Sequence, residues 1–187
     1  MFKFARPDEN AISDLIADLL NPEGDHGQGS VFLREFLRLI GHPGAAESGA
    51  VRVRCQDPAN WIPGGGIMDI TLEIEDVGIG IENKPFAAEQ QDQLLRYCSH
   101  LSKKYRGQFC MVFLGGKTPE PQSIGASERR RLEAEGRFKV LTYQNEIKGW
   151  LQFCEVHSKA PKVRLFLGDL RNFLEAEIPP IPYAEES

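Results

Sequence analysis

The sequence predicts an α/β domain, a mixed central sheet flanked by helices. Three observations carry that prediction. Residues 51–56, 67–75 and 78–84 alternate apolar and polar side chains, the period of strands with one covered face. Around these runs apolar residues recur three and four apart, the period of helices that bury one side. The run "GQFCMVFLGG" (107–116) is almost continuously apolar between glycines, as in a strand covered on both faces.

The elements follow in order. In "DENAISDLIADLL" (8–20), Ile12, Leu15, Ile16, Leu19 and Leu20 form one helical stripe, with Asp8 as its N-cap. A polar, glycine-rich loop spans 21–29. Ser30 is expected to cap a second helix carrying Phe32, Leu33, Phe36, Leu37 and Ile40, stopped by Gly41. After a small-residue linker, "VRVRCQ" reads as a strand. The strands 67–75 and 78–84 are joined by a turn near Glu75–Gly78, and Pro85 stops the second. Residues Ala87 to about Lys104 read as a helix. Beyond the buried strand come a loop, the charged helix "ASERRRLEAEG", the strand "FKVLTY", and helices at about 145–156 and 162–176. The order α-α-β-β-β-α-β-α-β-α-α fits one domain over 1–177. The proline-rich tail 178–187 cannot be helical and is expected to be extended or mobile.

Composition removes several classes of function. No apolar run reaches the roughly 18 residues of a membrane helix, and no signal-peptide core opens the chain. The four cysteines form no C-x-x-C pair, which suggests reduced, buried thiols and a cytoplasmic protein. The four histidines show no zinc spacing. A net charge of −5 argues against binding nucleic acid by bulk charge alone. An enzyme whose acidic site is neutralised by a divalent metal remains compatible with it.

Alternation sorts the charges of "GGGIMDITLEIEDVGIGIENKPF" (64–86). Asp69, Thr71 and Glu73 share one face, and Ile70, Leu72 and Ile74 the other. On the next strand Glu82 and Lys84 oppose Ile79, Ile81 and Asn83. If the apolar faces coincide across an antiparallel pair, Asp69 emerges beside Glu82 and Lys84. Two carboxylates offer hard oxygen ligands for Mg²⁺, and a lysine can orient a water or stabilise a negative transition state. The alternative is a solvated hairpin face with a weak Glu82–Lys84 pair.

Other residues are candidates for the same corner. Glu9 lies on the first helix's apolar stripe, where a carboxylate needs a cation or profits from the helix dipole. Gln93 and Tyr97 stand four apart on one helix face, as site residues or as a capping amide and a half-buried aromatic. His26 and Gln28 sit in a loop that either covers a site or simply connects helices. Lys117 follows the buried strand, and Lys103, Lys104 and Arg106 cluster around Tyr105; each is a candidate backbone contact or an ordinary surface cation. "GGG" at 64–66 precedes a strand and no G-K-[ST] follows, so it is no phosphate loop. "ERRRLEAEGR" reads as an exposed, salt-bridged helix.

The set "MDI…IENK…QLLRY" resembles the PD-(D/E)XK nuclease superfamily, in which an Asp on one strand precedes Glu-x-Lys on the next. Its Q-x-x-x-Y is shared with exonuclease-like branches. "DENAISDLIADLLNPEGDHGQGSVFLREFL", "VLTYQNEIKGWL" and "VRLFLGDLRNFL" are similar to segments of a bacterial nuclease-like branch, so the resemblance spans roughly 8–175. Met68 stands where the naming proline would be, a position that holds no chemistry. The resemblance implies a restriction-endonuclease-like core hydrolysing phosphodiesters, in DNA, for defence, restriction or repair. It implies Mg²⁺ or Mn²⁺ held by Asp69 and Glu82, with the Asn83 carbonyl and Glu9 as further ligands. Lys84 would position the nucleophile, Gln93 would support Lys84 or a phosphate, and Tyr97 would touch substrate or pack. A homodimer or a partner protein is compatible with it. The competing expectation is an inactive nuclease-like module that binds nucleic acid or assembles with protein.

Overall fold

A mixed sheet forms the middle layer of the molecule, with helices on both faces. The structure, a computed structural model, describes residues 8–47, 50–58, 61–62, 65–86, 88–116 and 120–178. Two helices open the chain, α1 (Glu9–Leu20) and α2 (Val31–Leu39). Three strands follow, β1 (Val51–Cys55), β2 (Ile70–Ile74) and β3 (Val77–Lys84). Then come α3 (Gln93–Lys104), β4 (Phe109–Gly115), α4 (Ala126–Ala134) and β5 (Phe138–Thr142). A π-helical turn at Tyr143–Ile147 leads into α5 (Lys148–His157) and α6 (Pro161–Glu177). Among the described residues the strands lie in the order β1-β2-β3-β4-β5. β1, β2 and β3 pair antiparallel, and β3, β4 and β5 pair parallel.

The apolar faces of β2 and β3 do coincide. Ile70 pairs with Ile81 and Leu72 with Ile79, and all four side chains join the core that holds the stripes of α1 and α2. β4 is buried along its whole length because both its faces are covered. Cys110, Val112 and Leu114 face the α1/α2/α5/α6 layer, while Phe109, Met111 and Phe113 face α3 and α4. The cysteines are all free, and Cys98, Cys110 and Cys154 are buried.

The polar-face side of β3 carries Gly78 and Gly80 ahead of Glu82 and Lys84, and those glycines let α3 lie close. A Cβ on Gly78 would run into the Tyr105 ring, and one on Gly80 into Met68 and Leu101. α3 is thereby drawn along β3, its first residue at the Glu82 end and its last turn at the Gly78 end.

Several local expectations change. Asp8 does cap α1, accepting from the Ala11 amide at 2.9 Å. Ser30 stands at the N-cap of α2 but its side chain makes no capping bond. β2 begins at Ile70, three residues later than the alternation suggested, and Ile67 makes an isolated bridge to Trp61. The helix expected from Ala87 begins only at Gln93, because the preceding segment is tied into a loop. Glu89 takes the amides of Gln122 and Ser123 as well as the Ser123 hydroxyl. Ser123 Oγ in turn accepts from the Leu94 amide at 3.0 Å, capping α3 from a distant segment. Ile178, assigned to the tail, is a buried core residue closing α6; the remaining tail, 179–187, lies outside the described residues.

At the far end of β2, Glu73 gathers Arg52, Arg54 and Lys104 at 3.3, 3.2 and 2.7 Å, and the Tyr105 hydroxyl at 2.9 Å. Burial pulls its carboxyl up, but the hydrogen bonds from Lys104 and Tyr105 outweigh this and hold it down at about 2. A depressed carboxyl stabilises the fold above its unfolded value and loses that contribution as pH falls through the folded one. Glu73→Gln is therefore expected to cost about 2 kcal/mol near neutrality. In denaturant titrations across pH, the difference from wild type should shrink below about pH 4 and vanish near pH 2.

Candidate active site

Lys84 is the last residue of β3, and its ammonium stands among three carboxylates from three elements. Nζ lies 2.7 Å from Glu82 Oε1, 3.9 Å from Asp69 Oδ2 and 3.9 Å from Glu9 Oε2. Continuing the β2–β3 register one step past Ile70 and Ile81 places Asp69 opposite Glu82, and the Asn83 amide donates to Asp69 Oδ2 at 2.7 Å. Glu9 arrives from the first turn of α1, its Oε1 accepting from the Phe86 amide at 3.3 Å.

Glu82 is 1% exposed. Gln93, the first residue of α3, donates to its Oε1 at 2.7 Å. Among the described residues Glu82 Oε2 is buried without a hydrogen-bond partner. Burial, and then the neighbouring Asp69, push this carboxyl up to about 8 against the pull of Lys84. Burial also raises Asp69, against the opposing effects of Lys84 and the Asn83 amide. Lys84 is pulled down by burial but held above its ordinary value by Glu82 and Asp69. Two carboxyls raised beside one held ammonium describe a site where ionising both would leave more negative charge than its burial tolerates.

Asn83 points the opposite way and is wholly buried. Its Nδ2 donates to Ser13 Oγ at 2.9 Å, and its Oδ1 accepts from the Tyr143 hydroxyl at 2.5 Å. Ser13 donates in turn to the Glu9 carbonyl at 2.9 Å. This chain of bonds clamps α1, β3 and the π-helical turn together behind the carboxylates. Sequence reading missed Ser13 and Tyr143. A serine within an apolar stripe was the available signal for the first; Tyr143, from a distant segment, had none.

A family model for the PD-(D/E)XK nuclease superfamily matches residues 1–169. The chain belongs to that superfamily. Neither a curated protein nor a solved structure matches it. A five-stranded mixed sheet flanked by helices agrees with a PD-(D/E)XK nuclease fold. Membership points to nuclease chemistry in general, and nucleases of this superfamily generally use divalent metal ions.

Of the residues singled out in this nuclease-family sequence, Asp69, Glu82, Lys84, Glu9 and Gln93 come together. Gln93 bonds Glu82 rather than Lys84. Tyr97 is 1% exposed, its hydroxyl donating to the Ile67 carbonyl at 3.2 Å and accepting from Gln93 at 3.1 Å. Of the two roles left open for Tyr97, substrate contact or packing, its burial and the internal partners of its hydroxyl favour packing. Lys104 is bound to Glu73, four residues along β2 from Asp69, about 13 Å at strand rise. Lys103 lies beside it on the exposed side of α3. Lys117 lies outside the described residues. His26 is buried in the loop after α1, its ring nitrogens engaged by the Asn21 carbonyl and the Gln28 amide. No helix among the described residues is long and apolar enough to cross a membrane.

Among the described residues no three His, Cys, Asp or Glu side chains are gathered closely enough to hold a metal by themselves. Lys84 occupies the space between them. The donor set nevertheless suits a hard cation: carboxylate oxygens, one of them buried and unpartnered, beside a raised Asp69.

The clamp behind the site is open to test. Tyr143→Phe leaves the buried Asn83 carbonyl oxygen without its donor and should cost about 1–3 kcal/mol in chemical denaturation. Ser13→Ala should cost a similar amount. Because both hold the same amide, the double variant is expected to fall short of the sum.

Proposed function

We propose that the chain is a metal-dependent nuclease hydrolysing phosphodiester bonds in DNA, with Asp69, Glu82 and Lys84 as its working groups. The observation that carries this reading is the buried Glu82 carboxylate, one oxygen unpartnered, facing Asp69 and Lys84. A purely structural ion pair has no use for that arrangement, which a bound cation would complete.

Asp69 and Glu82 are assigned to hold Mg²⁺ or Mn²⁺, with Glu9 and the Asn83 carbonyl as further oxygen donors. When bound, such a metal lowers the pKa of a coordinated water and offsets charge developing on the phosphoryl oxygens. Gln93 fixes Oε1 of Glu82 and leaves Oε2 as the available donor. Lys84 serves as a fixed cation that orients the attacking water and neutralises the in-line transition state. Its reach to both Glu82 and Asp69 supports that role. Cytoplasmic DNA, in defence, restriction or repair, is the setting this chemistry fits.

One observation favours a second reading, a nuclease-like module that binds without turnover: Lys84 stands between the carboxylates where a metal would go. Calorimetric titration with Mn²⁺ separates the two. Binding that disappears in Glu82→Gln supports the nuclease, and no binding supports the module.

On circular and linear DNA with Mg²⁺, Mn²⁺ or EDTA, Lys84→Ala and Glu82→Gln should each lower cleavage at least about a hundredfold. Glu82→Gln should also leave thermal stability equal to or above wild type near neutrality, since burial already disfavours the ionised carboxyl there and the amide is its neutral isostere. Wild-type cleavage by purified Lys84→Ala would falsify the proposal.

A further inference from the structure

The side of α3 turned away from the sheet has the make-up of a nucleic-acid surface. Leu94, Tyr97, Cys98 and Leu101 face inward to the core. Leu95, Arg96, Ser99, His100 and Lys103, with Ile62 as floor, line a hollow of about 280 Å³. Its apolar part is Ile62 and Leu95, and Leu95 is 38% exposed. The lining contains no carboxylate, although the whole chain carries −5. Burial, with the nearby Lys104 and Lys103, holds His100 below its ordinary value, so Arg96 and Lys103 are the cations near neutral pH. Neither is in an ion pair among the described residues, whereas Lys104 is spent on Glu73.

Next in sequence to Ile62, which lines this hollow, stands an exposed indole. Trp61 is 57% exposed, and it bridges Ile67, itself 36% exposed. Those two apolar groups are anchored to the candidate active site by a short chain of bonds. The Tyr97 hydroxyl holds the Ile67 carbonyl, Gln93 holds Tyr97, and Gln93 also holds Glu82. Gly66 passes so close to the Tyr97 ring that a side chain there would displace it. The indole is thus carried on backbone fixed to the carboxylate cluster.

We propose that Trp61 and the outer face of α3 bind a single strand of nucleic acid. A base stacks on the indole, and the phosphates pass Lys103 and Arg96 on their way to Glu82. An exposed aromatic platform near a cationic hollow without carboxylates in its lining is the combination that binds unpaired strands, because every base offers a π-face and every nucleotide a phosphate. A duplex keeps its bases stacked on one another and cannot use the platform. α3 from Gln93 to Lys103 measures about 15 Å, enough for a few nucleotides. The proposal rests on the nuclease reading for what the strand is led to, but the binding is measured without cleavage.

The test uses the full chain in EDTA with a short fluorescently labelled oligothymidylate, and a hairpin duplex of equal length for comparison. The oligothymidylate should quench emission from Trp61; Trp150 is buried, its Nε1 donating to the Phe32 carbonyl, and should not respond. By anisotropy, Trp61→Ala should weaken single-strand binding about tenfold, Trp61→Phe should recover part of it, and the hairpin should bind more weakly. Arg96→Ala combined with Lys103→Ala should flatten the salt dependence. Wild-type affinity in Trp61→Ala, a preference for the hairpin, or no binding at low salt overturns the proposal. A protein that cleaves nothing yet binds the single strand through Trp61 upholds this site and removes the nuclease reading.

Discussion

The buried amide of Asn83 is the constraint on which the candidate site depends. With no exposure to water, it must be satisfied inside the protein, and Ser13 and Tyr143 satisfy it. Strand alternation then leaves no choice for its neighbours: with Asn83 pinned to the α1 side, Glu82 and Lys84 project to the other face. The same residue's backbone amide fixes Asp69, and its partner Ser13 holds the first turn that carries Glu9. A side chain with no assigned chemistry of its own thereby orients four that have it. The π-helical turn that supplies Tyr143 adds a local widening of the kind often found near functional sites.

A second constraint acts from the opposite side. Gly78 and Gly80 remove the side chains that would keep α3 away from β3. The helix settles close enough for Gln93 to reach Glu82 and for Tyr97 to fill the space under Gly66. Side chains at those two glycine positions would lift α3 and open the carboxylate to water, which changes its charge state and its geometry together. Close packing and site electrostatics are here one property of the β3–α3 pair.

Much of this was legible in the sequence because it rests on period. The pairing of Ile70 with Ile81, and the resulting neighbourhood of Asp69, Glu82 and Lys84, followed from alternation and a common apolar face. The continuous apolar run of β4 correctly announced cover on both faces. What escaped depends on contacts between distant segments. Nothing local says that Ser123 caps α3, that Glu89 delays the helix to Gln93, or that Tyr143 reaches Asn83. Lys103 and Lys104 look equivalent in sequence. They differ because one faces outward and the other meets Glu73, a distinction set by helix rotation over a partner 31 residues away.

The two acidic clusters on one face of the sheet explain why only one of them is a candidate for chemistry. Glu73 and Asp69 stand on the same side of β2, four residues apart, in the same fold. Glu73 is surrounded by more cations than it needs, and its carboxyl is held at about 2. That is a finished structural interaction, strong where it stands and indifferent to any ligand. At the other end Asp69 and Glu82 share one lysine, both carboxyls are raised, and Glu82 Oε2 has no partner among the described residues. A fold that can neutralise an acid thoroughly at one end, and does not at the other, makes ionisation of the second pair costly. The oxygens are localised, rigidly oriented and buried, so a divalent cation is the simplest species that would let both carboxyls ionise there.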